Sequence, residues 1–145
     1  MRTIFAVVLT LFLTAAPQQG SIAGKWDITA AAASKRRDDG GSVSRSAQRF
    51  VLDLSVDGAK ATATLTPKGG PGSPWSLSGT WQQAKLELTS AWRDIPVKKN
   101  GKDATAKARY LVRLTQSGDT FSGACEFSME DSEPLPQPCT AQRAK

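Results

Sequence analysis

The chain of 145 residues contains no histidine, and this absence restricts the chemistry open to it. A Ser-His-Asp or Cys-His nucleophile cannot be assembled without histidine, and zinc loses its commonest nitrogen ligand. The acidic residues cluster in a proline-rich segment that need not hold a fixed geometry, at Glu126, Glu130, Asp131 and Glu133. We interpret them as solvated charge. The sequence therefore predicts a protein that is not an enzyme and has neither a metal site nor a cofactor.

Cysteine is scarce as well, since the chain has only Cys125 and Cys139. An isolated pair in an oxidising compartment usually forms a disulfide, and the Cys-x-x-Cys spacing typical of a redox-active pair is absent. A hairpin centred near Ser132 would place the two cysteines directly opposite each other, at a separation suited to a disulfide. We predict that they are bonded.

Long apolar runs are absent except at the start of the chain. Residues 4–13 form an apolar run that follows Arg2 and precedes the small residues Thr14, Ala15 and Ala16. The run is too short for a membrane span, which needs about twenty residues, and it has the features of a secretory signal peptide. We predict a signal peptide at 1–20, cleaved between 15 and 20. A single exported domain then covers residues 21–145, periplasmic or secreted, without a membrane span.

The net charge of the whole chain is +6. Removal of Arg2 leaves 18 − 13 = +5 for residues 21–145. Such an excess of cations serves solubility, or else it attracts an anionic partner such as a cell-surface polymer or a lipid headgroup. No nucleic-acid-binding motif is present, so no nucleic-acid partner is predicted.

Apolar residues at helical spacing are missing after residue 20, and alternation with a period of two takes their place. It predicts eight strands, at about 24–32, 47–56, 59–66, 75–82, 84–92, 106–116, 119–127 and 138–144. Segments 50–65 and 110–125 repeat one pattern around Asp57-Gly58 and Ser117-Gly118, which are typical of tight hairpin turns.

The predicted connections alternate between long and tight. The long ones, 33–46, 67–74, 93–105 and 128–137, would lie at one end of an up-and-down barrel, and the tight turns at the other. Closing the sheet buries its apolar face and removes both edges. The predicted fold is therefore all-β, an eight-stranded antiparallel up-and-down barrel with a closed end and a rim of long loops.

Most of the aromatic residues share the inward-facing parity of these strands. They either fill the interior or line an apolar pocket that opens at the rim; the small residues Gly79 and Gly123 would leave space among them. The predicted ligand-lining residues are Phe50, Trp75, Trp81, Trp92, Tyr110 and Phe127, with Trp75 and Trp92 near the mouth.

Gly24-Lys25-Trp26 at the start of an eight-stranded cup resembles the Gly-x-Trp pattern of lipocalins and the wider calycin group. Residues 21–145 as a whole are similar to small exported bacterial lipocalin-like barrels. The resemblance implies that Trp26 plugs the closed end and that Arg143 lies across it. Two functions follow as expectations: binding of a small apolar or amphipathic molecule inside the barrel, or binding or inhibition of another protein through the rim loops.

Overall fold

A computed structural model describes residues 21–69 and 72–145; the predicted signal peptide lies outside the described residues. Within them the chain forms eleven strands: β1 (Gly24–Ala30), β2 (Ala33–Arg36), β3 (Ser42–Arg45), β4 (Gln48–Asp57), β5 (Lys60–Pro67), β6 (Trp75–Gln82), β7 (Lys85–Ser90), β8 (Arg93–Lys99), β9 (Lys102–Ser117), β10 (Thr120–Met129) and β11 (Leu135–Arg143).

Eight of these strands close into an antiparallel barrel. The order around the barrel is β1, β4, β5, β6, β7, β9, β10 and β11, and β11 pairs with β1 to complete the circle. The predicted fold is confirmed. Closure gives every one of the eight barrel strands a partner on both sides, so the barrel itself has no edge strand.

Two of the predicted loops contain strands. Segment 33–46 forms the hairpin β2–β3, and segment 93–105 forms β8 and the first residues of β9, which pair with each other. The prediction of loops was wrong here because no fully apolar face marks these strands. Most of their side chains are exposed, so the sequence lacks the alternation that identifies a half-buried strand.

The tight turns lie at the end opposite these hairpins, as predicted. Gly58 and Gly118 have φ values of 61° and 62° between paired strands. Glycine adopts this left-handed conformation without the steric cost that a Cβ atom would bring. The long connections consequently all lie at the other end, which forms the mouth.

The middle of the barrel is filled with aliphatic side chains. Its residues include Ile28, Leu52, Leu65, Leu77, Leu88 and Val112, each 3% exposed or less. An aromatic layer lies on either side of it along the barrel axis, and Trp26 packs edge-to-face against Phe121 at the closed end with 4.8 Å between ring centroids. The interior below the mouth is therefore a packed core.

Gly79 and Gly123 do not leave the space expected of them. A Cβ atom on Gly79 would lie 1.8 Å from the carbonyl oxygen of Glu87, and one on Gly123 would lie 2.0 Å from that of Arg113. Each glycine instead permits the backbone of the neighbouring strand to approach closely, as occurs where a barrel bends.

The predicted disulfide between Cys125 and Cys139 is present, but the predicted register is wrong by two residues. Cys139 lies opposite Gly123, and Cys125 lies opposite Gln137. The turn between β10 and β11 is centred one residue earlier than Ser132, so the cysteines are diagonal neighbours. Their Cα atoms are 5.8 Å apart, a separation that a disulfide spans.

Candidate functional site

Four of the six predicted ligand-lining residues meet at the mouth of the barrel. Tyr110 is the centre of the group, with ring-centroid distances of 4.9 Å to Trp75, 4.9 Å to Phe127 and 5.7 Å to Phe50. Trp75 also contacts Phe127 edge-to-face at 6.2 Å. Edge-to-face pairs of this kind fix ring orientations and add to the energy of burial. We call these four residues the aromatic cluster.

Trp81 lies apart from the aromatic cluster. Its ring centroid is 5.9 Å from that of Phe121, which itself packs on Trp26. The strand β6 begins at the mouth with Trp75 and ends at the closed end with Trp81, so one strand contributes to both aromatic layers. A ligand at the mouth would not touch Trp81.

Trp92 does not share the inward face, and that part of the prediction was wrong. Its side chain is 43% exposed. Three residues separate Thr89 from Arg93, whereas two separate their partners Leu111 and Ala108 on β9. This single extra residue is a β-bulge, which reverses the alternation of faces beyond it.

At the bulge, the side chain of Ser90 replaces a hydrogen bond that the interrupted ladder lacks. The backbone N–H of Tyr110 donates to Oγ of Ser90 at 2.9 Å, and that hydroxyl donates to the carbonyl of Ala91 at 3.0 Å. Ser90 is buried, so its hydroxyl satisfies a donor at the point where the ladder is interrupted. The hydrogen bond from its backbone N–H to Ser90 thereby fixes Tyr110 at the mouth.

The same bulge turns Arg93 toward the mouth. Its guanidinium carbon lies 3.4 Å from the centroid of the Trp75 ring, a cation–π contact. The two terminal nitrogens donate to the backbone carbonyls of Pro74 at 2.9 Å and Ser73 at 3.2 Å. Arg93 therefore stacks on the aromatic cluster and holds the end of the loop before β6.

A second arginine reaches the aromatic cluster from the hairpin β2–β3. The guanidinium carbon of Arg45 lies 4.6 Å from the Phe127 ring centroid, and Nη2 donates to the Phe127 carbonyl at 3.2 Å. Its Nε is buried and has no hydrogen-bond partner within residues 21–69 and 72–145. Gln137 secures the base of this hairpin, because its Nε2 donates to the carbonyls of Ala31 and Ser46, both at 3.0 Å.

The titrating groups of the mouth influence one another. Burial raises the pKa of the Tyr110 hydroxyl above its ordinary value of 10.0, and the nearby positive charges of Arg45 and Arg93 oppose this rise. Burial also lowers the pKa of the Arg45 guanidinium, while its interaction with Tyr110 acts in the other direction. Around neutral pH the site therefore combines a neutral phenol with two cations.

A cleft of about 520 Å³ opens beside the aromatic cluster. Phe50, Trp75 and Tyr110 contribute to its wall, and the charged side chains along it are Arg49 and Lys68. Lys68 forms an ion pair with Asp27 at 2.7 Å. Pockets of this size hold small molecules, and here the wall combines aromatic surface with positive charge.

The closed end has the arrangement that the Gly-x-Trp resemblance implies. Trp26 is almost completely buried, and the guanidinium carbon of Arg143 lies 4.4 Å from its ring centroid. The indole Nε1 donates to the carbonyl of Ile22 at 2.7 Å. Gly24 has a φ of 120°, which residues with a side chain rarely adopt, and a Cβ there would lie 2.9 Å from the flexible end of Arg143. The backbone conformation therefore favours glycine at this position of the motif.

Arg45 and Arg93 are the site residues that the sequence reasoning missed. Both belong to segments interpreted as solvated loops, where a charge is ordinarily exposed. The sequence feature that bears on Arg93 is the number of residues in the 90–92 connection. One residue more or less there decides whether Trp92 or Arg93 faces the mouth.

Comparison of the chain with protein-family models, with curated proteins and with solved structures finds no significant match. In residues 21–69 and 72–145, no three His, Cys, Asp or Glu side chains lie close enough to share a metal ion. The part of the chain that the structure describes also contains no helix with the length and hydropathy of a membrane span.

Proposed function

We propose that this protein is an exported, non-catalytic, lipocalin-like barrel that binds a small amphipathic molecule at its mouth. The observation that carries the proposal is the aromatic cluster with Arg45 and Arg93 stacked on it, beside a cleft of about 520 Å³. Phe50, Trp75 and Tyr110 are at most 8% exposed, and the part of each ring that lines the cleft offers apolar surface to a ligand. The arginines offer polar contacts that fix its orientation.

The position of the site supports binding at the mouth over binding deep inside. The aliphatic layer beneath the aromatic cluster is fully buried, so the lower barrel serves as a rigid support. Binding residues held by a rigid scaffold lose little entropy when a ligand arrives. The closed eight-stranded barrel is compatible with the lipocalin-like resemblance of the sequence.

Native mass spectrometry of the protein purified from its natural host tests this proposal. We expect a fraction of the molecules to carry an additional small mass that dissociates on collisional activation. Trp75→Ala should abolish the additional mass, whereas Trp92→Ala, which changes an exposed tryptophan outside the mouth, should retain it. A mass that survives Trp75→Ala and disappears with Trp92→Ala would contradict binding at the aromatic cluster.

A second function is favoured by the two hairpins at the rim. The β2–β3 hairpin and the β8–β9 hairpin project beyond the barrel strands with mostly exposed side chains, including those of Lys98, Lys99 and Lys102. Rim hairpins of this kind could bind or inhibit another protein. Deleting the tip at 98–103 would abolish such an interaction and leave small-molecule binding at the aromatic cluster intact.

A further inference from the structure

We propose that the ligand is a flat aromatic molecule bearing a carboxylate, with its ring against the aromatic cluster and its carboxylate at Arg45 and Arg93. This inference rests on the proposed function and specifies the chemistry of the ligand. Three observations lead to it: the sign of the charge around the mouth, the unpaired donor of Arg45 and the shallow depth of the space available.

The charge around the mouth favours an anion. Arg45 and Arg93 stack on Phe127 and Trp75, and Arg49 is a further cation along the adjacent cleft. The acidic groups near them are engaged: Asp27 pairs with Lys68 at 2.7 Å, and Asp94, next to Arg93, pairs with Lys107 at 3.6 Å. Positive charge beside low-dielectric aromatic walls concentrates anions at the opening.

Arg45 retains an unused donor. Nη2 donates to the carbonyl of Phe127, but Nε is buried and lacks a partner among the described residues. A buried unpaired N–H is energetically unfavourable, and a carboxylate oxygen would satisfy it through a charge-assisted hydrogen bond. A neutral alcohol of the same shape would gain much less from this donor.

The depth of the site favours a ring over a long alkyl chain. Immediately below the aromatic cluster lie Leu52, Leu65, Leu88 and Val112, each 2% exposed or less. An extended chain entering the barrel would have to displace this packed layer, which is costly. A flat ring can lie at the mouth and contact the existing aromatic faces and edges.

The test compares three probes on the unaltered protein with its disulfide intact. Naphthalene-2-carboxylate carries both proposed features, naphthalene-2-methanol has the same ring without the charge, and decanoate has the same charge without the ring. Isothermal titration calorimetry at neutral pH measures each dissociation constant. We expect the carboxylate to bind at least about tenfold more tightly than the alcohol, and more tightly than decanoate. Raising the salt concentration should weaken only the two anions.

Variants locate the effect. Arg93→Gln and Arg45→Gln should each weaken the binding of naphthalene-2-carboxylate about tenfold and the binding of the alcohol much less. Arg109→Gln is the matched control, because Arg109 also has a buried Nε without a partner among the described residues and also stacks on a tryptophan. Its guanidinium carbon lies 4.5 Å from the ring centroid of Trp92, but on the outer face. The Arg109→Gln variant should bind all three probes with the same affinities as the unaltered protein. Thermal unfolding confirms that each variant is folded.

Each result has a separate meaning. Equal affinities for the carboxylate and the alcohol would overturn the anionic part of the inference while leaving the proposed function standing. Tighter binding of decanoate than of naphthalene-2-carboxylate would overturn the aromatic part. If none of the probes binds, the inference is wrong, and the retained mass in native mass spectrometry still decides the proposed function independently.

Discussion

The guanidinium of Arg143 lies across the indole face of Trp26, and the two residues are directly opposite each other in the ladder that closes the barrel. The same guanidinium donates from Nη1 to the carbonyl of Ala23 at 2.5 Å and from Nη2 to that of Ser21. The end of β11 therefore covers the plug of the closed end and also holds the segment that precedes β1. One side chain therefore joins the two ends of the described chain at the closed end of the barrel.

Arg143→Ala should destabilise the protein through this contact. The cation–π interaction alone contributes ~0.5–2 kcal/mol, and packing of the arginine stem and the two hydrogen bonds add to it. Denaturant unfolding measures the loss. Gln142→Ala, on the exposed face of the same strand, is the control and should change the free energy of unfolding little. Truncation after Ala141 should lower the melting temperature, and an unchanged value would mean that Arg143 does not hold the closed end.

The sequence predicted the closed end in detail because parity and motif agree there. Trp26 and Arg143 both have inward parity on terminal strands, and an eight-stranded barrel must pair its first strand with its last. The glycine of the Gly-x-Trp motif then has a physical reason, since Gly24 has a backbone conformation that residues with a side chain rarely adopt. The resemblance to lipocalins implied the contact between the two residues, and the strand count implied that they lie at the same end of the barrel.

The mouth was predicted less well because its geometry depends on single-residue insertions. Parity extrapolated from Leu86 and Leu88 placed Trp92 inside, but the bulge before Arg93 exchanges the two side chains. The position of Arg45 depends on a hairpin folded from a charged segment and anchored by Gln137. The alternation of apolar and polar residues shows neither the bulge nor the hairpin. It did predict correctly that Phe50, Trp75, Tyr110 and Phe127 all face inward.

Gly79→Ala should destabilise the barrel more than an ordinary strand substitution. The added Cβ would lie 1.8 Å from the carbonyl oxygen of Glu87 on the neighbouring strand, so the ladder between β6 and β7 must move apart. Overpacking of this kind costs about 1–3 kcal/mol or more. Ser78→Ala, one residue earlier on the exposed face, is the control and should alter stability by less than about 0.5 kcal/mol. Equal effects of the two substitutions in denaturant unfolding would contradict the close approach of the strands.

Loss of the disulfide should lower stability without changing the fold. Replacing both Cys125 and Cys139 by alanine removes a cross-link over 14 residues, which contributes about 3 kcal/mol in the chain-entropy description. The double variant should therefore unfold at lower denaturant concentration while retaining the β-sheet circular dichroism spectrum. Alkylation of the denatured, unreduced protein should detect no free thiol. Detection of two thiols in the naturally produced protein would contradict the bond.

Gln137→Leu should release the β2–β3 hairpin. The substitution removes the two hydrogen bonds from Nε2 to the carbonyls of Ala31 and Ser46, while filling a similar volume. We expect faster amide hydrogen exchange in residues 33–45. In the unaltered protein this segment should already exchange faster than 50–56 and 110–116, because an isolated two-stranded hairpin is only marginally stable. Gln142→Leu, on the exposed face of the same strand, should have no such effect. Unaltered exchange at 33–45 in the Gln137 variant would show that the hairpin is held by other contacts.

The pKa of the Tyr110 hydroxyl can be measured directly, because Tyr110 is the single tyrosine of the chain. Its burial raises the pKa of the hydroxyl above 10.0, and the positive charges of Arg45 and Arg93 limit the rise. Absorbance at the tyrosinate wavelength should therefore show a titration midpoint above 10.0 in the folded protein. Arg45→Gln should raise the midpoint further, since the substitution removes a charge that favours tyrosinate. A midpoint at or below that of free tyrosine would contradict the burial of the hydroxyl.

The same shift makes stability depend on pH in a defined direction. In the unfolded chain Tyr110 ionises near pH 10, whereas the folded chain retains the proton to higher pH, so the unfolded state binds fewer protons in this interval. The contribution of Tyr110 to stability is therefore complete below about pH 10 and is lost as the pH rises through the folded-state pKa. Denaturant unfolding is measured for the unaltered protein and for Tyr110→Phe across this interval, and the difference between the two isolates the contribution of the Tyr110 hydroxyl. The difference in unfolding free energy between the two proteins should change only above about pH 10. There it should shift in favour of the phenylalanine variant. A difference independent of pH would show that the hydroxyl has the same pKa in the folded and unfolded states.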